Sequence, residues 1–385
     1  MGVIKMYCGI DVSKNKSYIC IMDKEKKVLK EFSIEHSIEG FQKLEKELTP
    51  NTMIGMEVTG NYSKTLFDYL RQRKYRVTYV DNFKMNTFAQ LHSPQVKNDK
   101  TDARLITMYV ASPDELTRVE VPEMNELKDL ANLYDKTSRQ LSRHKCMVKN
   151  QINIIFPELE SIMSNNSNMG IGYMLLKFPT PKEIAEATDE EIRDALRENL
   201  KRAGKFDLEY AKKIKALASQ SIGVKDYPVL CFKQTVKTML FYTIQAKAIK
   251  ESIEEALKKT TYARLMEDFG YNVVSLATII GIVGDIRRFS NHKKFASYCG
   301  FGIREKRSGS SINKSTHITK KGNSRLRQTF HMMALIHIAY KTEFSKYYSK
   351  LKERGKHPKK CLVAVARKLA VKAYYDLLKC HDRKI

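Results

Sequence analysis

The chain has 385 residues, 42% of them hydrophobic, which is room for two or three domains with real cores. Its formal net charge of +26 points to a polyanionic partner. Its seven scattered cysteines form no C-x-x-C pair, so no zinc site or disulfide framework is expected, and its longest apolar run, Val273 to Gly284, is too short for the ~20 residues that span a bilayer. With no signal peptide at the N-terminus, the expected setting is a reduced cytoplasm with no membrane partner.

Residues 1–82 read as α/β. Tyr7–Val12 and Ser17–Met22 have strand character and form a hairpin around Ser13-Lys14-Asn15-Lys16, with Lys27–Ile34 as a third strand. Phe41, Leu44 and Leu48 have helical spacing. Thr52–Val58 is a further strand, Leu66, Tyr69 and Leu70 mark a helix, and Tyr75–Val80 is the last strand, giving a mixed sheet with helical cover. Gly60-Asn61-Tyr62-Ser63-Lys64-Thr65 ends like a Walker loop but lacks the first glycine and the glycine before Lys64; it is read as a helix start, with no ATP use.

From Val121 to about Pro157, Leu127, Tyr134, Leu141, Val148 and Ile155 recur every seven residues, one apolar stripe of a long helix. The companion seam is polar (Thr137, His144, Gln151), so it is no strong isolated zipper. Val236, Leu240, Ile249, Ile253 and Leu257 mark a second long helix, and the two suggest a helical hairpin or dimerisation stalk. Between them lies a polar insertion of low signal, broken at Asn165-Asn166-Ser167-Asn168 and Pro179-Thr180-Pro181. In 275–340, Ile286, Phe289, Phe295 and Tyr298 flank a turn, and Gly300, Gly302, Gly309 and Gly322 punctuate a loop. Leu326 to Tyr340 and Val363 to Leu378 are helices. Residues 286–385 carry 26 Lys and Arg against 5 Asp and Glu, a net +21. Such a region reads as a polyanion-binding surface; a solubility tail is the plainer alternative, but the periodic apolar residues require it to fold. The expected division is 1–115, 116–270 and 271–385.

Four acidic residues stand out: Asp11 and Glu57, each late in an apolar strand-like run, and Asp99 and Asp102 in Lys97-Asn98-Asp99-Lys100-Thr101-Asp102-Ala103-Arg104. Singly, Asp11 reads as a turn cap and Asp99 as a helix N-cap. Glu57 is a carboxylate near the core, where an unpaired charge is costly. The i, i+3 pair shares one helix face. Together the four suggest a Mg²⁺ site, because gathered carboxylates repel unless a cation resolves them, and paired ions of this kind act on phosphodiesters.

These motifs resemble those of the RuvC-like DEDD transposases of bacterial insertion sequences, the family of the Piv-type invertases and bridge-RNA-guided recombinases. Gly9-Ile10-Asp11-Val12-Ser13-Lys14 matches the first-strand signature, Met56-Glu57-Val58-Thr59-Gly60 the second acidic position and Lys97-Asn98-Asp99-Lys100-Thr101-Asp102-Ala103 the closing acidic box. Gly284-Asp285-Ile286-Arg287-Arg288-Phe289, Ser308-Gly309 and Ile318-Thr319-Lys320-Lys321-Gly322-Asn323-Ser324-Arg325-Leu326-Arg327 resemble the family's C-terminal blocks. The resemblance covers roughly residues 6–110 and 275–375. Phe269-Gly270-Tyr271-Asn272 and Gly300-Phe301-Gly302-Ile303-Arg304 depart from the family's P-G-I-G and G-L-x-P, so the local turns are expected to differ.

The resemblance implies an α/β RNase H/RuvC-like N-terminal domain holding Mg²⁺ on Asp11, Glu57, Asp99 and Asp102. A coiled-coil-like helical stalk with an insertion, and a basic, mainly α-helical C-terminal domain, would follow. By residue type Ser308 is a turn residue; by resemblance it falls on the family's serine nucleophile, with Ser310 and Ser311 adjacent. Lys97, Arg104, Arg304, Lys306, Arg307, Lys320, Lys321, Arg325 and Arg327 are candidate nucleic-acid ligands. The implied activity is transposition or site-specific recombination on donor and target DNA, with a structured guide RNA and a homo-oligomer, dimer or tetramer, as partners. A RuvC-type metal-dependent junction nuclease without a covalent intermediate is the alternative, and a non-catalytic nucleic-acid-binding protein the third reading.

Overall fold

The computed structural model describes residues 6–57, 62–80, 82–92, 98–112, 122–163, 168–200, 204, 206–268, 270–304, 317–318 and 321–382. The chain forms two compact units, Met1–Pro122 with Gly284–Ser290, and Glu123–Val283 with Asn291–Ile385.

The first unit is built on a five-stranded sheet in the order β3-β2-β1-β4-β5. Strands β1 (Tyr7–Val12), β2 (Lys16–Met22) and β3 (Val28–Glu35) form an antiparallel meander. Ser13 closes its first turn, donating from N at 3.0 Å and from Oγ at 2.8 Å to Lys16 O. β4 (Met53–Glu57) lies parallel to β1, and β5 (Arg76–Val80) parallel to β4. Parallel neighbours need crossover connections; α1 (Ile38–Glu45) and α2 (Tyr62–Gln72) lie in them. The expected strands are therefore present to within a residue or two at their ends, and so are both helices, although α1 ends at Glu45 and leaves Leu48 beyond it. α2 begins at Tyr62, within the Walker-like segment, in keeping with the expected helix start there.

Residues two apart on a strand share a face, and the two faces are covered differently. Cys8, Ile10, Val12, Ile54 and Met56 pack with Phe41 and Leu44 of α1 and Leu66, Phe67 and Leu70 of α2. The opposite face carries α3 (Asn82–His92) and α4 (Asp99–Val110), where Val80 and Met85 pack with Leu105, Ile106, Tyr109 and Val110. Glu31, Cys20, Gly9 and Gly55 are successive register partners across four strands, and α4 lies along this row. A Cβ at Gly9 would stand 2.4 Å from both Ala103 O and Thr107 N, and one at Gly55 would stand 2.1 Å from Val110 Cγ2. Thr107 Oγ1 donates to Ala103 O at 2.7 Å and lies 3.1 Å from Cys20 O. Gly9→Ala should therefore push helix backbone off the sheet. The expected cost is about 1–3 kcal/mol, the usual range for overpacking, read as a lowered midpoint in denaturant unfolding. An unchanged midpoint would contradict this packing.

Among its described residues the second unit is helical apart from one small ladder. α5 (Pro122–Ile155) is the long helix that the seven-residue stripe predicts, and α10 (Val229–Lys258) is the second. Val148, Ile152 and Ile155, late in α5, share a core with Phe232, Val236, Met239 and Leu240, early in α10, so the two run as a hairpin. His144 and Tyr242 rings meet at 5.2 Å.

The insertion is not a polar tract. α6 (Asn168–Lys177), α7 (Pro181–Glu186), α8 (Asp189–Arg197) and α9 (Leu208–Ser219) bury Ile171, Met174, Leu175, Ile184, Ile192, Leu196 and Ile214 in that same core. Pro179-Thr180-Pro181 acts as a helix start rather than a mere break: Thr180 Oγ1 accepts from Glu183 N at 3.3 Å. Thr188 and Glu191 form a reciprocal capping box that begins α8. Of the other expected breaker, Asn168 opens α6 and Asn165, Asn166 and Ser167 lie outside the described residues.

Beyond α10 come α11 (Val273–Val283), α12 (His292–Ala296), α13 (Ser324–Ala339), α14 (Glu343–Glu353) and α15 (Pro358–Asp382). α11 is the longest apolar run of the sequence and is buried from Leu276 to Val283. No helix among the described residues is long and apolar enough to cross a membrane. Lys372 Nζ on α15 donates to Asp268 at 2.8 Å and Asp376 at 2.7 Å, and Tyr271 OH donates to Asp376 at 2.9 Å. This network ties the last helix to the segment leading into α11.

Candidate functional site

The sheet places two of the four acidic residues side by side. Gly9 pairs with Gly55 and Ile10 with Met56 on parallel strands, so Asp11 and Glu57 follow in step. Neighbouring strands are about 4.8 Å apart. Asp11 and Glu57 lie two residues beyond Gly9 and Gly55, and so share the face that α4 covers. Both are half-buried.

Asp99 and Asp102 sit in the first turn of α4 on that same side of the sheet. The plainer reading of Asp99 as an N-cap does not hold. Asn98 is the cap, its Oδ1 accepting from Thr101 N at 2.8 Å, and Asp99 is the first helical residue. An acid there complements the helix dipole. The helix crosses the strands obliquely: Val110 stands over β4, Thr107 over β1 and β2, and Lys100 reaches Glu31 on β3 at 3.2 Å. The acidic turn is thus carried toward β2 and β3, while Glu57 ends β4. Among the described residues no group of three or more His, Cys, Asp or Glu side chains is gathered closely enough to hold a metal ion. The donor set fits Mg²⁺ in kind, being all carboxylate oxygen, and in sharing one face; the four are not drawn into a closed ligand group.

Glu31 carries no signal in the sequence, yet it is central to this face. Its carboxylate takes a two-pronged contact from Arg104, with Nη2 at 2.7 Å, and the Lys100 ammonium as well. The Arg104 guanidinium holds the Glu31 carboxyl below its usual range. Arg104 is therefore committed to anchoring α4 on β3. Glu31 lies 73 residues away in a strand of mixed polarity, and nothing near it in sequence announces the pairing.

In the second unit, β6 (Ile303–Arg304) and β7 (His317–Ile318) form an antiparallel ladder pairing Ile303 with Ile318 and Arg304 with His317. This ladder brackets the segment that carries Arg307 and Ser308. Lys306, Arg307, Ser308, Ser310, Ser311, Lys320 and Lys97 lie outside the described residues. The glycine and asparagine of the following motif have clear local reasons. Gly322 has φ +117°, and a Cβ there would stand 2.6 Å from Tyr298 O and 2.7 Å from Ser297 O. Only glycine fits without strain. Asn323 N donates to Tyr298 O at 2.7 Å, while its Oδ1 caps α13 by accepting from Arg325 N and Leu326 N, both at 3.0 Å. Gly270 and Gly300, at the two places where the chain departs from the family pattern, take φ of +108° and +81°.

The candidate cations of this region differ in surroundings. Arg325 is half-buried and donates to Asn132 Oδ1 and, at 2.5 Å, to Ala131 O. Burial lowers its proton affinity. It joins α13 to α5. Arg327 covers Gly300, where a Cβ would stand 2.2 Å from Nη1. Lys321 is exposed. In the Gly284-Asp285-Ile286-Arg287-Arg288-Phe289 run, Gly284 has φ +63°, Asp285 caps a 3₁₀ turn by accepting from Arg287 N at 2.9 Å, and Ile286 is buried.

Residues 8–157 match a family profile for the DEDD transposases of IS110 type, described as Transposase, and residues 262–349 match one described as Transposase IS116/IS110/IS902 family. The chain is 32% identical over 119 residues to a pilin gene-inverting protein of Moraxella lacunata, covering 28% of this chain and 37% of that one. It is 31% identical over 106 residues to the pilin gene-inverting protein of Moraxella bovis, covering 27% and 33%. It is 21% identical over 299 residues to an insertion element IS110 uncharacterized 43.6 kDa protein of Streptomyces coelicolor, covering 76% and 73%. The match thus spans about a third of the length of the pilin gene-inverting proteins.

Proposed function

We propose that this chain, which belongs to the DEDD transposases of insertion sequences, cuts and rejoins DNA to move or invert a DNA segment. The observation that carries this reading is the placement of Asp11 and Glu57 in step on parallel strands, on the sheet face that also bears the acidic first turn of α4. Asp11, Glu57, Asp99 and Asp102 would hold Mg²⁺, which when bound neutralises charge on the reacting phosphodiester. The Ser308 hydroxyl would attack phosphorus, forming an Oγ–P bond as a strand P–O bond breaks and the strand's oxygen leaves. Lys321, Arg304 and Arg307 are the cations of the C-terminal motifs proposed to neutralise the phosphate.

Two further elements of the reading rest on family resemblance, a structured guide RNA that delegates sequence choice to base pairing and a homo-oligomer; a cytoplasmic setting rests on the scattered cysteines, which form no C-x-x-C pair. The oligomer has a physical support. Leu133 and Met147 on α5, and Phe241 and Ile244 on α10, remain exposed on the long helices. Apolar groups left on a stalk suit a partner subunit.

The test is a plasmid carrying the gene with its native flanking DNA, sequenced for new junctions in cells that make the protein. New junctions at the flanks, lost when the gene is disrupted, are expected. Flanks that stay intact in the presence of well-folded protein would contradict the reading. A structured non-coding segment in those flanks, required for the junctions, would support the guide RNA.

A further inference from the structure

We propose that the outward face of α14 and the turn joining it to α15 form a ridge that grips the phosphate backbone of a duplex nucleic acid without regard to base sequence, distant in sequence from Ser308. The ridge rests on the reading of the chain as a DNA-recombining protein only for the identity of the duplex.

Lys346, Lys350 and Arg354 stand four residues apart along α14 and its C-cap, all exposed. Residues at that spacing are surface neighbours, and like charges there destabilise a helix. Lys356, Lys359 and Lys360 continue the ridge, Lys352 stands on another side of α14, and every residue from Lys352 to Lys360, the acid Glu353 included, is exposed. Among the described residues none of these seven cations makes an ion pair. Other exposed helix faces of this chain do pair charges at i, i+4, as in Asp135 with Arg139 at 3.0 Å and Glu254 with Lys258 at 3.1 Å. The helix dipole sharpens the contrast. Cations at the end of α14 are favourable, but Lys359 and Lys360 stand in the first turn of α15, at its positive end, where no acid is present. A solubility face gains nothing from that placement, whereas a polyanion neutralises it.

The support is rigid. Phe344 and Leu351 of α14 and Cys361, Val365 and Leu369 of α15 are buried. Gly355, at φ +74°, makes the turn, and Lys356 N donates to Leu351 O at 3.2 Å. Lys368 Nζ sits 3.9 Å over the Tyr347 ring. That ring is therefore covered rather than offered as a stacking platform of the kind single strands need. From Lys346 to Arg354 the helix rises about 12 Å. Duplex DNA carries a charge every ~1.7 Å of axis, so several phosphates fall within reach of one ridge.

The experiment compares the full-length chain with its K346Q/K350Q/R354Q/K356Q variant on two DNA duplexes of unrelated sequence and one RNA duplex, across a salt series. At physiological salt the variant should bind at least about tenfold more weakly to both DNA sequences. The slope of log affinity against log salt should flatten by about 0.9 for each phosphate that the variant no longer neutralises. Weakening confined to the RNA duplex would name RNA as the source of the phosphates. Unchanged affinity and slope on every duplex, or weakening on one DNA sequence only, overturns the ridge. Folding is separated by K359E/K360E, which relieves the adverse dipole: it should melt no lower than the parent yet bind less tightly. Parental affinity in that variant counts against the ridge. A parent chain that binds no duplex would contradict the recombinase reading as well; a binding parent with an unaffected variant contradicts the ridge alone.

Discussion

Replacing Asp11 by Asn is expected to abolish strand cleavage while leaving nucleic-acid binding largely intact. The substitution keeps shape and hydrogen-bonding capacity on β1 but removes one negative charge from the pair it forms with Glu57. If those carboxylates hold Mg²⁺, the loss falls on charge neutralisation at the phosphodiester and not on docking, which the cations supply. A fall of at least about a hundredfold in cleavage, roughly 2.7 kcal/mol of barrier, is expected. Binding should stay within a few-fold of the parent. Relief of carboxylate repulsion should keep the melting temperature at or above the parent value. Cleavage at the parental rate in a folded Asp11→Asn chain would remove this residue from the site. The same measurement on Glu57→Gln asks whether the two neighbouring strand positions act as one.

Ser308→Ala has the other large expected effect. A methyl group cannot attack phosphorus, so rejoining should fall at least about a thousandfold, some 4 kcal/mol of barrier. In the junction-nuclease alternative water attacks in place of a protein hydroxyl, and the substitution would matter little. Ser308 lies in the C-terminal family match and the carboxylates in the N-terminal one, so the working site could draw them from one chain or from two. Mixing inactive Asp11→Asn with inactive Ser308→Ala chains decides between these. Partial recovery is expected if sites are shared between subunits, since each mixed pair would then hold one intact set. No recovery from well-folded mixed oligomers would assign both halves of the site to one chain.

The N-terminal sheet was legible because its signal is local. Apolar runs of strand length are separated by a hairpin turn and by helix-spaced leucines, and the Gly9 and Gly55 positions fall where α4 leaves no room for a Cβ. The stripe through Leu127, Tyr134, Leu141, Val148 and Ile155 was legible because a 34-residue helix repeats it five times. The insertion was not, because its helices are short. α7 has 6 residues and α8 has 9, so each shows less than three turns of periodicity, and their apolar faces make sense only against α5 and α10. α14 escaped because its lysines and tyrosines mask a face that buries only Phe344 and Leu351. The acidic residues could be picked out by type and place, but not their mutual arrangement, which depends on the angle at which α4 crosses the sheet. The cations show the same limit more sharply. Arg104 and Arg325 look alike in sequence as phosphate ligands, yet one is held by Glu31 and the other by Asn132 and Ala131, partners 73 to 194 residues distant. Charge count gives the sign of the surface; only tertiary structure says which cations are already engaged.

The most direct test of the account is to capture the DNA intermediate. End-labelled DNA from the gene's own flanks is incubated with the protein and Mg²⁺, then quenched in denaturant. If the chain is a recombinase that conserves the energy of the broken strand, label should remain covalently attached to the protein, move with it on a denaturing gel, and be released by protease. The attachment should vanish in Ser308→Ala. Cleaved strands carrying free ends, with no label on the protein at any time point, would contradict the account and leave a simple metal-dependent nuclease.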